Sequence, residues 1–215
     1  VWTADELTKL NDICMKHGVK VISDEIHCEL IMKGHTYIPF ASLSDECLHN
    51  SITLNSPTKA FNIAGLQIAN VISCDEDVRH KIDRAININE ICDVNPFGVL
   101  ALQAAYNEGA EWLDSLNEYL YDNYMELRRF FSERMPNIGV THLEGTYLVW
   151  ADIRSTGMTS DALTEKLLKE GHVMVNSGTM YGKTAGEGFL RINIACPRSH
   201  MIEGLERMAR VIEKL

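Results

Sequence analysis

The sequence predicts an α/β protein in two parts, and three observations lead there. Over residues 1–95, short apolar runs with few charges alternate with amphipathic helical patterns, as expected for sheet strands covered on both faces by helices. Residues 96–135 read as a long helical region that links the two parts. Residues 136–215 carry their own mixture of helices and strands, a small α+β pattern.

The elements follow in order. Thr3 and Glu6 make a capping-box pattern ahead of Leu7, Leu10, Ile13 and Cys14, so a helix is expected over 3–17, closed by Gly18. A strand over 19–24 ends in the acids Asp24 and Glu25. Residues 34–50 read as a loop rich in Gly, His and Ser, although Ile38, Phe40 and Leu43 suggest that it packs. Strands are expected at 51–55 and 68–73, with a helix over 76–87. Asn95-Pro96 opens the linking region. Beyond Gly109, Trp112, Leu116, Tyr119, Leu120, Tyr124, Leu127, Phe130 and Phe131 recur at helical spacing and are expected in the core. Asp114, Asn117, Asp122, Asn123 and Glu126 mark the wet face, and Met135-Pro136-Asn137 ends the helix. A strand is expected over 145–153. Thr159 or Ser160 caps a helix that runs through Glu170 and is stopped by Gly171. Strands at 173–175 and 190–194 precede a last helix with Met201, Leu205, Met208, Ile212 and Leu215 as its apolar stripe.

Composition excludes several classes of function. With 215 residues, 46% of them hydrophobic, the chain can bury a core for one large or two small domains. No apolar run approaches the ~20 residues that span a bilayer. The opening Val1-Trp2-Thr3-Ala4-Asp5-Glu6 is polar and acidic, unlike a signal peptide. A net charge of −10 argues against nucleic acid as a partner. The six cysteines are scattered without a Cys-x-x-Cys pair, which favours reduced thiols in a cytoplasmic protein. The histidines lack ligand spacing, so no metal site is expected.

The stretch Ser56-Pro57-Thr58-Lys59-Ala60-Phe61-Asn62 is the most informative. A lysine in a small-polar turn at a strand end is well placed to act as a nucleophilic amine. Upstream stands Ser23-Asp24-Glu25-Ile26-His27, and downstream Leu190-Arg191-Ile192-Asn193-Ile194-Ala195-Cys196-Pro197-Arg198. This order of aspartate, lysine and arginine resembles the pyridoxal-phosphate enzymes of the aminotransferase fold, fold-type I. Within them the three strings look most like the cystathionine β-lyase group of C–S lyases. The resemblance covers essentially the whole chain. It implies that residues 1–95 are the end of a large cofactor-binding α/β domain with a mixed sheet. Residues 96–135 are then a linking helical region and 136–215 a small α+β C-terminal domain. In the resembled family the first helix lies mid-chain, so the sequence looks like the C-terminal part of a longer protein, with about 170 to 180 residues upstream by the usual domain sizes. On that expectation the 215 residues alone are inactive, and the whole protein is a homodimer acting on a small amino acid.

The resemblance also implies roles. Lys59 would carry the cofactor, pyridoxal 5′-phosphate, and act as the catalytic amine. Asp24 would keep the pyridine nitrogen protonated. Arg191 would grip the substrate α-carboxylate with a two-pronged fork. Ser56 and Thr58 would offer hydroxyls to the cofactor phosphate. Many aminotransferases carry an arginine eight residues after the lysine for that phosphate. This chain has Gln67 there, which shifts weight to Ser56. His27 stands where many aminotransferases have a tyrosine facing the ring oxygen, and the lyase-like subgroup tends to have histidine. The activity implied is α,β-elimination from cystathionine or related cysteine S-conjugates. The runner-up, an aminotransferase of class I/II, would use the same three residues, Lys59, Asp24 and Arg191. A third reading, from another class, is an aminotransferase-like effector-binding domain of a transcription regulator, in which binding matters and turnover does not. Arg191 also has a structural alternative, pairing with Asp152 or Glu144.

Overall fold

The computed structural model describes all 215 residues. They divide into two compact units, Val1–Leu116 and Asn117–Leu215. No helix is long and apolar enough to cross a membrane.

In the N-terminal unit, helix α1 (Ala4–Lys16) begins on the expected capping box. Thr3 Oγ1 accepts from the Glu6 N–H at 3.3 Å, and Glu6 accepts from the Thr3 N–H at 2.8 Å. Gly18 closes it in the left-handed region, at φ +64°. Strand β1 (Val21–Asp24) follows. The expected loop over 34–50 contains a short helix, α2 (Asp45–Asn50), which Ser44 caps by accepting from the Cys47 N–H at 3.1 Å. The apolar residues of this segment do pack. Leu7, Phe40 and Cys47 form a buried cluster, with Val21, Ile38 and Leu43 against it.

Strands β2 (Ser51–Asn55) and β3 (Asn70–Ile72) complete a three-stranded mixed sheet of order β1-β2-β3. β1 and β2 are parallel, β2 and β3 antiparallel. The expectation that these strands are covered on both faces is not met within this unit. Ile22, Val71 and Ile72 stand 65%, 45% and 55% exposed, and Val71 and Ile72, consecutive on β3, point to opposite faces, so each face keeps apolar side chains open within this unit. Helices α3 (Glu76–Asn87) and α4 (Pro96–Glu108) follow, capped by Asp75 and Asn95.

Helix α5 (Ala110–Arg134) contains the boundary between the units. Its apolar stripe is core from Leu120 onward, through Tyr124, Leu127, Phe130 and Phe131. Trp112 and Tyr119 are exposed instead, at 49% and 39%. Asn123, expected on the wet face, is fully buried. Its amide donates to the carbonyls of Ile194 at 3.0 Å and Cys196 at 3.1 Å, and its oxygen accepts from Arg198 Nε at 3.1 Å. A polar side chain can be buried there because its hydrogen bonds are met.

The C-terminal unit builds a four-stranded antiparallel sheet of order β4-β5-β7-β6: β4 (Gly139–Val140), β5 (Leu148–Asp152), β6 (Asn176–Ser177) and β7 (Phe189–Asn193). Helix α6 (Ser160–Gly171) lies between β5 and β6 in sequence, and α7 (Arg198–Ile212) closes the chain. Val149, Ala151, Leu190 and Ile192 alternate into a core with Leu163, Leu167, Leu205 and Met208. Thr159 is the cap of α6, accepting from the Ala162 N–H. The left-handed residue that ends α6 is His172, one later than expected. The strand expected at 173–175 is displaced to β6, because the Val173 N–H still bonds back to the Leu167 carbonyl at 3.1 Å. The last helix buries Met201, Leu205, Met208 and Val211, while Leu215 lies beyond it, 54% exposed.

Candidate functional site

Parallel pairing of β1 and β2 creates the site. Asp24 stands opposite Leu54, so both strands release their chains at the same edge of the sheet. Ligands in α/β sheets bind outside the carboxyl ends of parallel strands, where loops and backbone groups converge. Asp24 is the last residue of β1 and His27 lies in the turn after it, while the turn after β2 carries Ser56, Thr58 and Lys59.

The lysine turn is a rigid support with one free side chain. Ser56, Thr58 and Ala60 are buried at 2%, 7% and 1%, while Lys59 between them is exposed. Ser56 Oγ lies 2.6 Å from the Ile68 carbonyl and accepts from the Thr58 N–H at 3.1 Å. It also sits 2.8 Å from Thr58 Oγ1. A hydroxyl has one proton, and the carbonyl can only accept, so that proton goes to Ile68 and Thr58 Oγ1 donates to Ser56. The hydroxyl that the sequence offers to a phosphate is therefore committed to the turn. Phe61 stacks on Trp112 at 5.4 Å and anchors the far side. Gln67 is exposed with φ +51°, the left-handed end of a short 3-10 turn.

The two acids of the first turn have different duties. Glu25 accepts from the Phe40 N–H at 3.1 Å and the Ser23 hydroxyl at 2.9 Å, so it ties down the following segment. Asp24 is exposed, and its carboxylate accepts from the Ile26 N–H at 3.3 Å. His27 is half-buried. Its protonation is disfavoured, first by burial and then by the charge of Lys59, while Asp24 opposes the shift. His27 thus sits in the fields of both Lys59 and Asp24, and the structure brings these three expected residues together.

A set of residues that sequence reasoning did not single out braces both turns. Tyr106 on α4 donates to Asn55 Oδ1 at 2.5 Å, and Asn55 Nδ2 donates to Cys28 Sγ at 3.3 Å. The Cys28 thiol is pushed up to about 12 by burial, then by a hydrogen bond to Glu29 and the charges of Glu29 and Glu25. The sequence signal was slight: Asn55 directly precedes the lysine turn and Cys28 directly follows His27.

Arg191 belongs to the C-terminal unit, on β7. Its guanidinium carbon lies 4.1 Å from the centroid of the Tyr181 ring. The structural alternative through Asp152 fails, because Arg154 takes that carboxylate. Arg198 is structural, as it braces Asn123 and Tyr119.

Comparison with known proteins gives the family. The sequence model of the aminotransferase class I and II family matches residues 1–208. Over 207 residues the chain is 40% identical to the cystathionine beta-lyase PatB of Bacillus subtilis, covering 96% of this chain and 53% of that protein. Cystalysin from Treponema denticola, a structure containing pyridoxal 5′-phosphate, superposes with a TM-score of 0.96 at 33% identity, covering 100% of this chain and 54% of that one. The pyridoxal-phosphate-bound C–S lyase from Staphylococcus hominis superposes with a TM-score of 0.89 at 33% identity, covering 99% and 55%. The chain spans about half the length of the curated relatives it matches. With nearly every residue inside the family match, and with the strand-end lysine and aspartate in one unit, the chain belongs to the class I and II aminotransferase family.

Proposed function

We propose that the whole protein is a pyridoxal-phosphate-dependent carbon–sulfur lyase. It performs α,β-elimination on cystathionine or related cysteine S-conjugates and yields thiol, pyruvate and ammonia. The observation that carries this is the convergence of Lys59 and Asp24 on His27 at the carboxyl ends of two parallel strands. That donor set suits the cofactor: an exposed amine for the aldehyde, an exposed carboxylate for the ring nitrogen, and an imidazole between their fields. Support for a lyase comes from relatives such as the B. subtilis cystathionine beta-lyase and the S. hominis C–S lyase. We further propose a cytoplasmic homodimer without a nucleic-acid partner, on the support of the family likeness, the free cysteines and the net charge of −10.

Pyridoxal phosphate supplies an electron sink for the charge that develops at the substrate Cα. Lys59, exposed at the strand-end turn, would hold the cofactor by its aldehyde through Nζ. The same Nζ would serve as the general base that takes the substrate Cα proton. Asp24 would keep a proton on the cofactor ring nitrogen through its negative charge. His27, biased toward the neutral form, would offer the cofactor ring oxygen a hydrogen bond without adding a charge. Arg191 grips the α-carboxylate. Ser56 serves the phosphate end by fixing the turn, and contacts the phosphate directly only by giving up its bond to the Ile68 carbonyl. The Cβ–S electron pair leaves with sulfur as thiolate, and water completes pyruvate and ammonia.

The test is full-length protein with cystathionine. Pyruvate and free thiol should form in equal amounts with no added 2-oxo acid, and Lys59→Ala should abolish both and lose borohydride-fixed cofactor. Turnover that requires a 2-oxo acid and releases no thiol would instead establish an aminotransferase. Cofactor fixed at another lysine would refute the role of Lys59.

A further inference from the structure

β7 lies between β5 and β6, and Arg191 is directly opposite Trp150 on one side and Asn176 on the other. Alternation sends Leu190, Ile192, Val149 and Ala151 into the core, so Trp150, Arg191 and Asn176 form one row on the outward face. Tyr181, from the turn after β6, touches every member of this row. Its ring face lies 4.1 Å from the Arg191 guanidinium carbon. It meets Trp150 edge-on, with centroids 5.5 Å apart and planes at 84°. Asn176 Nδ2 and the Tyr181 hydroxyl are 2.7 Å apart, with the amide donating.

The turn that carries Tyr181 is held independently of Arg191. Gly178 and Gly186 approach so closely that a Cβ on Gly186 would lie 1.9 Å from the Gly178 carbonyl oxygen, which excludes any side chain there. Asp161 on α6 accepts from the Ser177 and Thr179 hydroxyls, both at 2.5 Å. Ser160 Oγ, fully buried, accepts from the N–H groups of Gly188 at 2.8 Å and Phe189 at 3.1 Å. The ring is therefore placed by backbone and helix contacts, and the arginine settles onto it.

A guanidinium stacked through its flat face keeps its N–H edges free, and those edges make the paired bonds to a carboxylate. An aromatic floor attracts the cation without competing for its donors, as an acidic partner would. We propose that Tyr181 is a positioning residue for substrate recognition: its ring holds the Arg191 guanidinium flat with its donor edge open to the substrate α-carboxylate, and Asn176 and Trp150 fix the ring. This rests on the carboxylate-binding role of Arg191. Tyr181 is 46% exposed, so its replacement removes little core.

The experiment uses full-length holoenzyme and two probes, S-methyl-α-methyl-L-cysteine, which has no Cα proton to lose, and its carboxamide. Dissociation constants are read from the absorbance of the bound cofactor. Tyr181→Leu should loosen the acid about 3- to 10-fold and leave the amide within about 2-fold, the range of one cation–π contact. Tyr181→Phe, which keeps the ring, should retain most of the affinity. On an Arg191→Gln background the Tyr181→Leu effect should disappear. Equal loosening of acid and amide, or an undiminished effect on that background, would overturn the positioning role. Arg191→Gln that keeps the preference for acid over amide would instead overturn the carboxylate-binding role of Arg191, which is a separate failure.

Discussion

Replacing Ser56 with alanine separates two roles for this residue. Its hydroxyl bonds the Ile68 carbonyl at 2.6 Å, the Thr58 N–H at 3.1 Å and the Thr58 hydroxyl at 2.8 Å, in a site only 2% exposed. Ser56→Ala removes these bonds and leaves a carbonyl and an N–H without that partner in a place water does not reach. Each lost bond is worth about 1 kcal/mol net, and a stranded buried group about 1–3, so the variant should lose about 2–4 kcal/mol. In a full-length protein of roughly twice this length, that lowers the melting temperature by about 2–5 °C. The assay is thermal unfolding of the full-length protein stripped of pyridoxal phosphate. If Ser56 braces the turn, the loss appears without cofactor. An unchanged melting temperature with weakened cofactor affinity would refute the argument and make Ser56 a direct phosphate ligand.

Other variants test other links. Asp24→Asn keeps a hydrogen-bonding group but removes the charge. Turnover should fall by about two orders of magnitude, as for loss of one preset electrostatic partner, with little change in KM, and near-normal turnover would contradict the role of Asp24. Asn123→Leu strands the carbonyls of Ile194 and Cys196 and frees Arg198 Nε. It should cost about 3 kcal/mol or more in urea denaturation, and a neutral result would mean that the buried amide is dispensable. The Cys28 thiol keeps its proton in the fold up to about 12 against an ordinary 9.0. The stability this contributes is full below pH 9.0 and is lost as pH rises from 9.0 to about 12, because only the unfolded chain releases the proton there. Cys28→Ala should flatten that alkaline loss. In the native protein iodoacetamide should reach the exposed Cys74 and Cys92 before the half-buried Cys28, and early labelling of Cys28 would refute the raised thiol.

Local chemistry was legible in the sequence wherever it acts over a few residues. The capping box at Thr3 and Glu6, the left-handed stop at Gly18 and the cap at Asn95 are short-range hydrogen-bond patterns, and all three are in the structure. The candidate residues Asp24, His27, Lys59 and Arg191 were legible because they stand in short strings at strand ends or within an apolar strand. Tertiary structure decided what depends on partners far along the chain. Asn123 reads as a wet-face residue until carbonyls more than 70 positions away fill its amide. Ser56 reads as a free hydroxyl until Ile68, 12 positions on, takes its proton. Tyr181 gives no local signal, because its role comes from the register that sets Trp150 and Asn176 on either side of Arg191. Spacing along a chain encodes helix faces and caps, whereas the pairing of distant strands is set by the packing of the whole sheet.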